Sequence, residues 1–218
     1  SVTRLYGIVY LPFDREPGRK YPIISNVYPG PHVDLVPQAF TLDDNYNQSL
    51  AQLGFVVINF AYRGSGPWRG RDFHTFGYGN LRDYACADIE RVGIYGHSGG
   101  GFMTVAAMLN HPEFYKVGVA ASGNHDNNIY SQWWGETFHG VKQTWGKDGK
   151  PHFECHIPTN IELADRLAGR LLLITGDMDN NVHPASTARL ADALIRARKR
   201  FDMTVIPGAD HGLGNSYY

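Results

Sequence analysis

A glycine-flanked serine is the first sign of chemistry in this sequence. Gly96-His97-Ser98-Gly99-Gly100 follows the apolar run Arg91–Tyr95 and precedes the helix-like run Phe102–Leu109. A strand, a tight turn and a helix in this order are typical of a nucleophile elbow, in which a strained backbone exposes the serine hydroxyl above the sheet edge. Side chains beside the serine would clash there, which accounts for the glycines. On the motif alone, a simple Gly/Ser-rich turn remains an alternative.

A serine hydroxyl needs a base to take its proton and an acid to orient that base. Two later loops, 176–184 and 207–212, supply Asp177, Asp179 and His211, in the chain order Ser, Asp, His that α/β-hydrolases use. Each loop follows a predicted parallel strand, and open α/β sheets place their sites at the carboxyl ends of such strands. The two aspartates compete for the acid, since either could close an Asx turn, and His211 could be a locally bonded loop histidine.

Acyl transfer also needs donors for the negative charge that develops on the carbonyl oxygen. The backbone N–H of Gly99 is one candidate, and the hydroxyl of Tyr28, after an early strand, is a second. The alternative for Tyr28 is a strand-end aromatic whose ring lies in the core. His97 is predicted to point away from Ser98 and to serve packing or local hydrogen bonding.

The elements that would position these residues alternate between strands and helices. An edge strand is predicted over 5–11, joined by the turn Asp14–Gly18 in a hairpin with a strand over 21–28. Further predictions are strands over 55–60, 91–95, 117–121, 171–175 and 203–206, helices over 48–53, 161–167 and 185–198, irregular chain over 63–79 and 124–150, and a short crossover over 80–89. The pattern favours an α/β fold with a mostly parallel central sheet and helices on both faces, as one domain over residues 1–218.

Composition excludes several classes of function. The chain has 218 residues, of which 43% are hydrophobic, and a net charge of −1. This balance suits one globular domain and gives no electrostatic footprint for nucleic acid. No apolar run approaches the roughly 20 residues that span a bilayer, and the first residues do not read as a signal peptide.

Metal and disulfide chemistry are not predicted either. The run His152–His156 has ligand types at i and i+4, but Pro151 and Pro158 flank it and nothing marks a helix there. Two cysteines, Cys86 and Cys155, are too few to indicate a disulfide framework. The sequence therefore does not distinguish a reducing from an oxidising cellular compartment. We therefore expect no metal and no cofactor.

Taken together, these segments resemble the catalytic domain of the prolyl oligopeptidase family of serine peptidases (S9), and most of all its dipeptidyl peptidase IV branch. The resemblance runs from about Leu5 to Gly212. It implies an α/β-hydrolase fold in which Ser98 is the nucleophile, Asp179 the acid and His211 the base. The motifs that carry it are Tyr28-Pro29-Gly30-Pro31-His32, Tyr62-Arg63-Gly64-Ser65-Gly66, Gly96-His97-Ser98-Gly99-Gly100-Gly101, residues 176–184 and Asp210-His211-Gly212.

The resemblance further implies roles around the substrate. Tyr28 matches a tyrosine that completes the oxyanion hole with Gly99, and Asn181 matches an asparagine that holds a substrate carbonyl. Tyr130 and Trp134 fall where the family places aromatic rings around a proline-sized pocket. The family pattern has a tyrosine in place of Trp134.

The function implied is cleavage of peptides after proline or alanine near the amino terminus, through an acyl-enzyme. The family's β-propeller, with the acidic residues that grip the substrate amine, is not expected in this chain. A peptide substrate is the expected partner, with no nucleic acid and no membrane span, and a homodimer is left open. The alternatives are a carboxylesterase with the same triad and a non-catalytic hydrolase-fold module.

Overall fold

The structure is a computed structural model that describes residues 3–28, 32–39, 41, 46–83 and 93–214. A sheet of seven strands forms its centre, in the order β1-β3-β2-β4-β5-β8-β9, and a separate pair joins β6 to β7. All neighbours in the large sheet are parallel except β1 and β3. The strands are β1 Gly7–Tyr10, β2 Ile23–Asn26, β3 Val56–Phe60, β4 Gly93–His97, β5 Val117–Ala121, β6 Lys142–Trp145, β7 Pro151–Glu154, β8 Arg170–Gly176 and β9 Asp202–Ile206.

Helices flank this sheet. They are α1 Asn47–Gln52, α2 Arg71–His74, α3 Gly99–Asn110, α4 Gln132–Phe138 and α5 Ala185–Arg196, with 3₁₀ helices at Pro67–Arg69, Thr75–Gly77 and Ile161–Arg166. A mostly parallel sheet covered by helices is the α/β-hydrolase architecture, so the predicted fold class is confirmed.

The core is built around α3, which follows the glycine-flanked serine. Every residue of this helix from Gly100 to Leu109 is buried, because the helix packs directly on β4 and β5. A helix that is apolar all round must lie inside the molecule. By contrast α5 is amphipathic, with Leu190 and Leu194 fully buried and Ile195 exposed. The elbow is therefore anchored on a helix that lies in the core.

The predicted hairpin between the first two strands is wrong. β1 pairs antiparallel with β3, and β2 lies between β3 and β4, parallel to both. The burial of β2 explains the difference, since Ser25 and Asn26 are almost completely buried, as a central strand requires. Of these two strands, β1 alone has the alternating, half-exposed pattern of an edge strand.

Two segments predicted to be irregular contain regular structure. The 63–79 segment holds α2 and two 3₁₀ helices, and the 124–150 segment holds α4 and β6. The β6–β7 hairpin turns through Gly146 and Gly149, and its short strands lie on the surface with no buried residue, so hydrophobic patterning does not reveal them. The predicted crossover over 80–89 and residues 91–92 of the predicted strand lie largely outside the described residues.

Among the described residues, no helix has both the length and the apolar character needed to cross a bilayer.

Candidate active site

The backbone at Ser98 has the strained geometry of a nucleophile elbow. Its φ of 58° and ψ of −121° are rare for a residue with a side chain, and it joins β4 directly to α3. The Ser98 N–H donates to the carbonyl of Ala121 on β5 at 2.8 Å, which fixes the turn to the neighbouring strand. A Cβ on Gly101 would lie 2.5 Å from the same carbonyl oxygen, and one on Gly100 would overlap the carbonyl of Val27. Close backbone approach thus requires glycine at positions 100 and 101.

Three side chains distant in sequence meet at this turn. The Nε2 atom of His211 lies 3.0 Å from the Oγ of Ser98, and its Nδ1 atom lies 2.8 Å from the Oδ2 of Asp179. His211 comes from the loop after β9 and Asp179 from the loop after β8. Both loops leave the carboxyl ends of parallel strands, at the same edge as the elbow.

Asp179 is oriented by backbone donors. Its side chain is completely buried, and its Oδ1 accepts hydrogen bonds from the N–H groups of Asn181 at 3.0 Å and Val182 at 2.8 Å. The other oxygen is therefore left for the imidazole. Asp177 has a different task, because its Oδ1 accepts the N–H of Gly208 at 2.6 Å and ties the two loops together.

Two candidate donors for an oxyanion lie beside Ser98. Gly99 follows Ser98 at the N-terminus of α3, where backbone N–H groups lack partners within the helix. The ring and the hydroxyl of Tyr28 lie beside Gly99, the residue that follows Ser98. Burial raises the pKa of Tyr28 above its usual value, so the phenol stays protonated and able to donate.

A cavity of about 160 Å³ opens next to the Ser98 hydroxyl. Tyr130 and Trp134 form part of its wall, with ring centroids 5.9 Å apart in an edge-to-face arrangement. The Tyr130 hydroxyl donates to Asn181 Oδ1 at 2.8 Å, which places the asparagine at the mouth of the same cavity. The full lining is Tyr28, His32, Leu81, Ser98, Gly99, Phe102, Met103, Asn124, Tyr130, Trp134 and Asn181.

The eight residues to which the sequence and the resemblance gave a role at the site therefore lie together here. They are Tyr28, Ser98, Gly99, Tyr130, Trp134, Asp179, Asn181 and His211. Trp133, the neighbour of Trp134, points elsewhere and is 68% exposed. Sequence reasoning missed the apolar part of the wall. Phe102 stands four residues after Ser98, about one helical turn, so its spacing from the serine could have indicated it, with Met103 next to it. His32 and Leu81 carry no such signal, because tertiary folding alone brings them to the cavity.

The histidine-rich run near residue 152 lies away from this cavity. Pro151–Glu154 is strand β7, with His152 beside Asp148 and His156 beside Glu162. Within the described ranges, no three His, Cys, Asp or Glu side chains gather closely enough to hold a metal ion.

Known proteins resemble this chain in sequence and structure. The sequence model of the prolyl oligopeptidase family matches residues 41–218. Dipeptidyl peptidase 8 of Homo sapiens is 30% identical over 226 residues, covering 96% of this chain and 25% of that protein. A probable dipeptidyl-aminopeptidase B of Aspergillus oryzae is 29% identical and covers 90% of the chain and 23% of its own length.

Solved structures agree with these relatives. The crystal structure of a putative dipeptidyl aminopeptidase IV from Bacteroides ovatus superposes with a TM-score of 0.83 at 29% identity, over 98% of this chain and 32% of that one. The dipeptidyl peptidase 4 of Porphyromonas gingivalis gives a TM-score of 0.82 at 26% identity. The chain spans between 23% and 32% of the length of these relatives. On its sequence and its fold, the chain belongs to the prolyl oligopeptidase family (S9).

Proposed function

We propose that this chain is the catalytic domain of a dipeptidyl peptidase-like serine peptidase, with Ser98, His211 and Asp179 as its triad. The observation that carries the proposal is a pair of consecutive hydrogen bonds. One joins Asp179 to His211 at 2.8 Å, and the other joins His211 to Ser98 at 3.0 Å. We further propose that residues 1–218 form one domain. A single seven-stranded sheet with strands from both ends of the chain supports this.

The proposed reaction has two halves. Ser98 Oγ attacks the scissile carbonyl carbon while His211 Nε2 takes its proton, and the collapsing intermediate expels the amine, which receives that proton from His211. Water then attacks the acyl-serine, again with His211 as base, and releases the carboxylic acid and the free serine. Asp179 keeps the imidazole in the tautomer with hydrogen on Nδ1 and stabilises the imidazolium.

Negative charge develops on the carbonyl oxygen in both halves. We assign its two donors to the Gly99 N–H and the Tyr28 hydroxyl, which lie beside Ser98. Removing a donor of this kind typically slows the chemical step by about 10² to 10³-fold. Because only a protonated phenol can donate this hydrogen bond, the raised pKa of Tyr28 supports the proposed role.

The cavity next to Ser98 supports a small, flat residue on the acyl side of the cut. Its volume of about 160 Å³ and its aromatic wall of Tyr130 and Trp134 suit a proline ring or an alanine methyl group. Asn181 accepts the Tyr130 hydrogen at its Oδ1. Its amide N–H₂ group is then free to face a substrate carbonyl. The names of the relatives favour cleavage of dipeptides from amino termini.

A fluorophosphonate probe and a substrate panel test the proposal together. We expect the probe to label Ser98, and Ser98→Ala to abolish both labelling and turnover. Dipeptide anilides ending in proline or alanine should be cleaved. Turnover of short acyl esters with all anilides untouched would identify a carboxylesterase instead. A folded chain that the probe does not label would reject the catalytic role altogether.

A further inference from the structure

The backbone carbonyl of His211 is held by two side chains. The Nε2 atom of His97 lies 2.6 Å from this oxygen, and the hydroxyl of Ser122 donates to it at 3.3 Å. His97 is the last residue of β4 and Ser122 follows the last residue of β5. The two donors thus project from the ends of neighbouring central strands onto the loop that carries His211.

The contact with a carbonyl oxygen determines which ring nitrogen of His97 carries a hydrogen. A carbonyl oxygen can only accept, so the Nε2 atom of His97 carries the hydrogen and donates it. The His97 ring also packs on the His211 ring, with centroids 4.7 Å apart. Burial lowers the pKa of His97, and the neighbouring His211 lowers it further, against opposing contributions from the carbonyl bond and from Asp179. A neutral His97 avoids a second positive charge beside the imidazolium that forms during catalysis.

The loop that carries His211 is fixed at both of its ends. The start of the loop is fixed by Asp177, which accepts the Gly208 N–H at 2.6 Å, and by the N–H of Met178, which donates to Ala209 at 3.1 Å. The bonds from His97 and Ser122 act at the other end, on the catalytic residue itself. Ser122 is fully buried, and its N–H donates to Ile174 on β8 at 2.8 Å, so its hydroxyl starts from a rigid base.

We propose that His97 is a positioning residue, which holds the His211 imidazole at hydrogen-bonding distance from Ser98 by donating to the His211 carbonyl. The inference rests on the proposed function, because it requires His211 to act on Ser98. Displacing a catalytic group by about 1 Å can cost on the order of 100-fold in rate. A single bond to the backbone of the base therefore has a measurable effect on turnover.

Two amide variants differ only in reach. The terminal nitrogen of Gln can occupy the place of His97 Nε2, whereas that of Asn is one methylene group short. We expect His97→Asn to lower kcat and the rate of fluorophosphonate labelling by about 10- to 100-fold, with KM changed by less than about twofold. His97→Gln should recover most of that loss. A role in packing alone would affect both amides alike.

The outcomes separate this inference from the proposed function. If wild-type Ser98 is not labelled, the function fails. If it is labelled, and His97→Asn and His97→Gln react at equal rates, the positioning role is overturned. Near-ultraviolet circular dichroism establishes that each variant is folded. If His97→Asn does not fold, His97→Leu replaces it, since it fills the same space without a donor for the His211 carbonyl, and a labelling rate equal to that of His97→Gln overturns the proposal.

Discussion

At the scale of single residues, the arrangement of Asp179 decides which nitrogen of His211 carries the hydrogen. One carboxylate oxygen is occupied by two backbone N–H groups, and the other faces His211 Nδ1. A carboxylate only accepts hydrogen bonds, so Nδ1 must carry the hydrogen and Nε2 keeps its lone pair for Ser98. The buried carboxylate therefore selects the tautomer that the proposed mechanism requires.

Replacing this carboxylate by an amide tests that assignment. In Asp179→Asn the backbone N–H groups of Asn181 and Val182 retain an acceptor, and the amide N–H₂ group turns towards His211. It favours the tautomer with hydrogen on Nε2, which cannot take a proton from Ser98. We expect kcat for a dipeptide anilide to fall by roughly 10³ to 10⁴-fold with the fold intact.

Asp177→Asn is the matched control. Its amide oxygen can still accept the Gly208 N–H, and the carboxylate that faces His211 is that of Asp179, so activity should stay within about threefold of wild type, as expected for a change outside a catalytic unit. A large loss in Asp177→Asn together with an active Asp179→Asn would show that the acid has been assigned to the wrong residue.

At the scale of elements, the junction of β4 and α3 depends on close backbone contact. The helix starts immediately after Ser98, and Gly100 in its first turn lies against the carbonyl of Val27, just after β2. No side chain fits between the two. The helix can therefore aim its N-terminus at the site only if this position is glycine.

Gly100→Ala should reverse the usual effect of alanine in a helix. Alanine normally stabilises a helix interior relative to glycine by about 1 kcal/mol. Here the added methyl group would overlap the Val27 carbonyl, and we expect the free energy of unfolding to fall by about 3 kcal/mol or more, measured by urea denaturation.

The neighbouring glycine provides the comparison. A Cβ on Gly99 would lie 3.4 Å from the ring of Tyr28, which is close to an ordinary contact. Gly99→Ala should therefore change the free energy of unfolding by no more than about 1 kcal/mol. Equal stabilities for the two variants would contradict the close approach at Gly100.

At the scale of the whole molecule, a buried histidine joins several elements. His125 follows β5 and is fully buried, and its Nδ1 lies 3.2 Å from the side-chain nitrogen of Asn160. The same nitrogen donates to the carbonyl of Phe102 in α3 at 2.8 Å. Burial lowers the pKa of His125 to about 3. The folded chain thus holds this group neutral inside its core.

This buried group makes stability depend on pH. The unfolded chain takes up a proton near pH 6.5, whereas the folded chain resists until about pH 3. The contribution of His125 to the free energy of unfolding is therefore fully present above pH 6.5. It falls as the pH drops below this value, by at most about 1.4 kcal/mol per pH unit. His125→Gln, which cannot take up a proton, should flatten the dependence between pH 6.5 and 4.5 in urea denaturation.

His152→Gln is the control for this experiment, because His152 is exposed on the β6–β7 hairpin. It should keep the wild-type dependence of stability on pH. If His125→Gln loses stability with acid as steeply as wild type, the acid sensitivity arises from other groups.

Much of the fold follows from local sequence signals. The runs at β3, β5 and β8 are apolar and bounded by turn residues, and α5 has a clear amphipathic period, so each was predicted close to its observed bounds. The elements that were missed have no such signal. The β6–β7 hairpin has no buried side chain, and α4 covers only two turns. The pairing of β1 with β3 depends on long-range register that neither strand encodes alone.

The sequence by itself determined the chemical types at the site and their order along the chain. It named a serine in a glycine turn, later loops with aspartate and histidine, and the aromatic residues near 130, because nucleophile elbows and strand-end loops have local patterns. The residue pattern left Asp177 and Asp179 open, and the resemblance to the family selected Asp179, which faces His211 in the structure. Only the tertiary structure decided which side chains line the cavity and that His97 Nε2 meets the His211 carbonyl. Those contacts join residues up to 114 positions apart, and their distances depend on how the whole sheet packs.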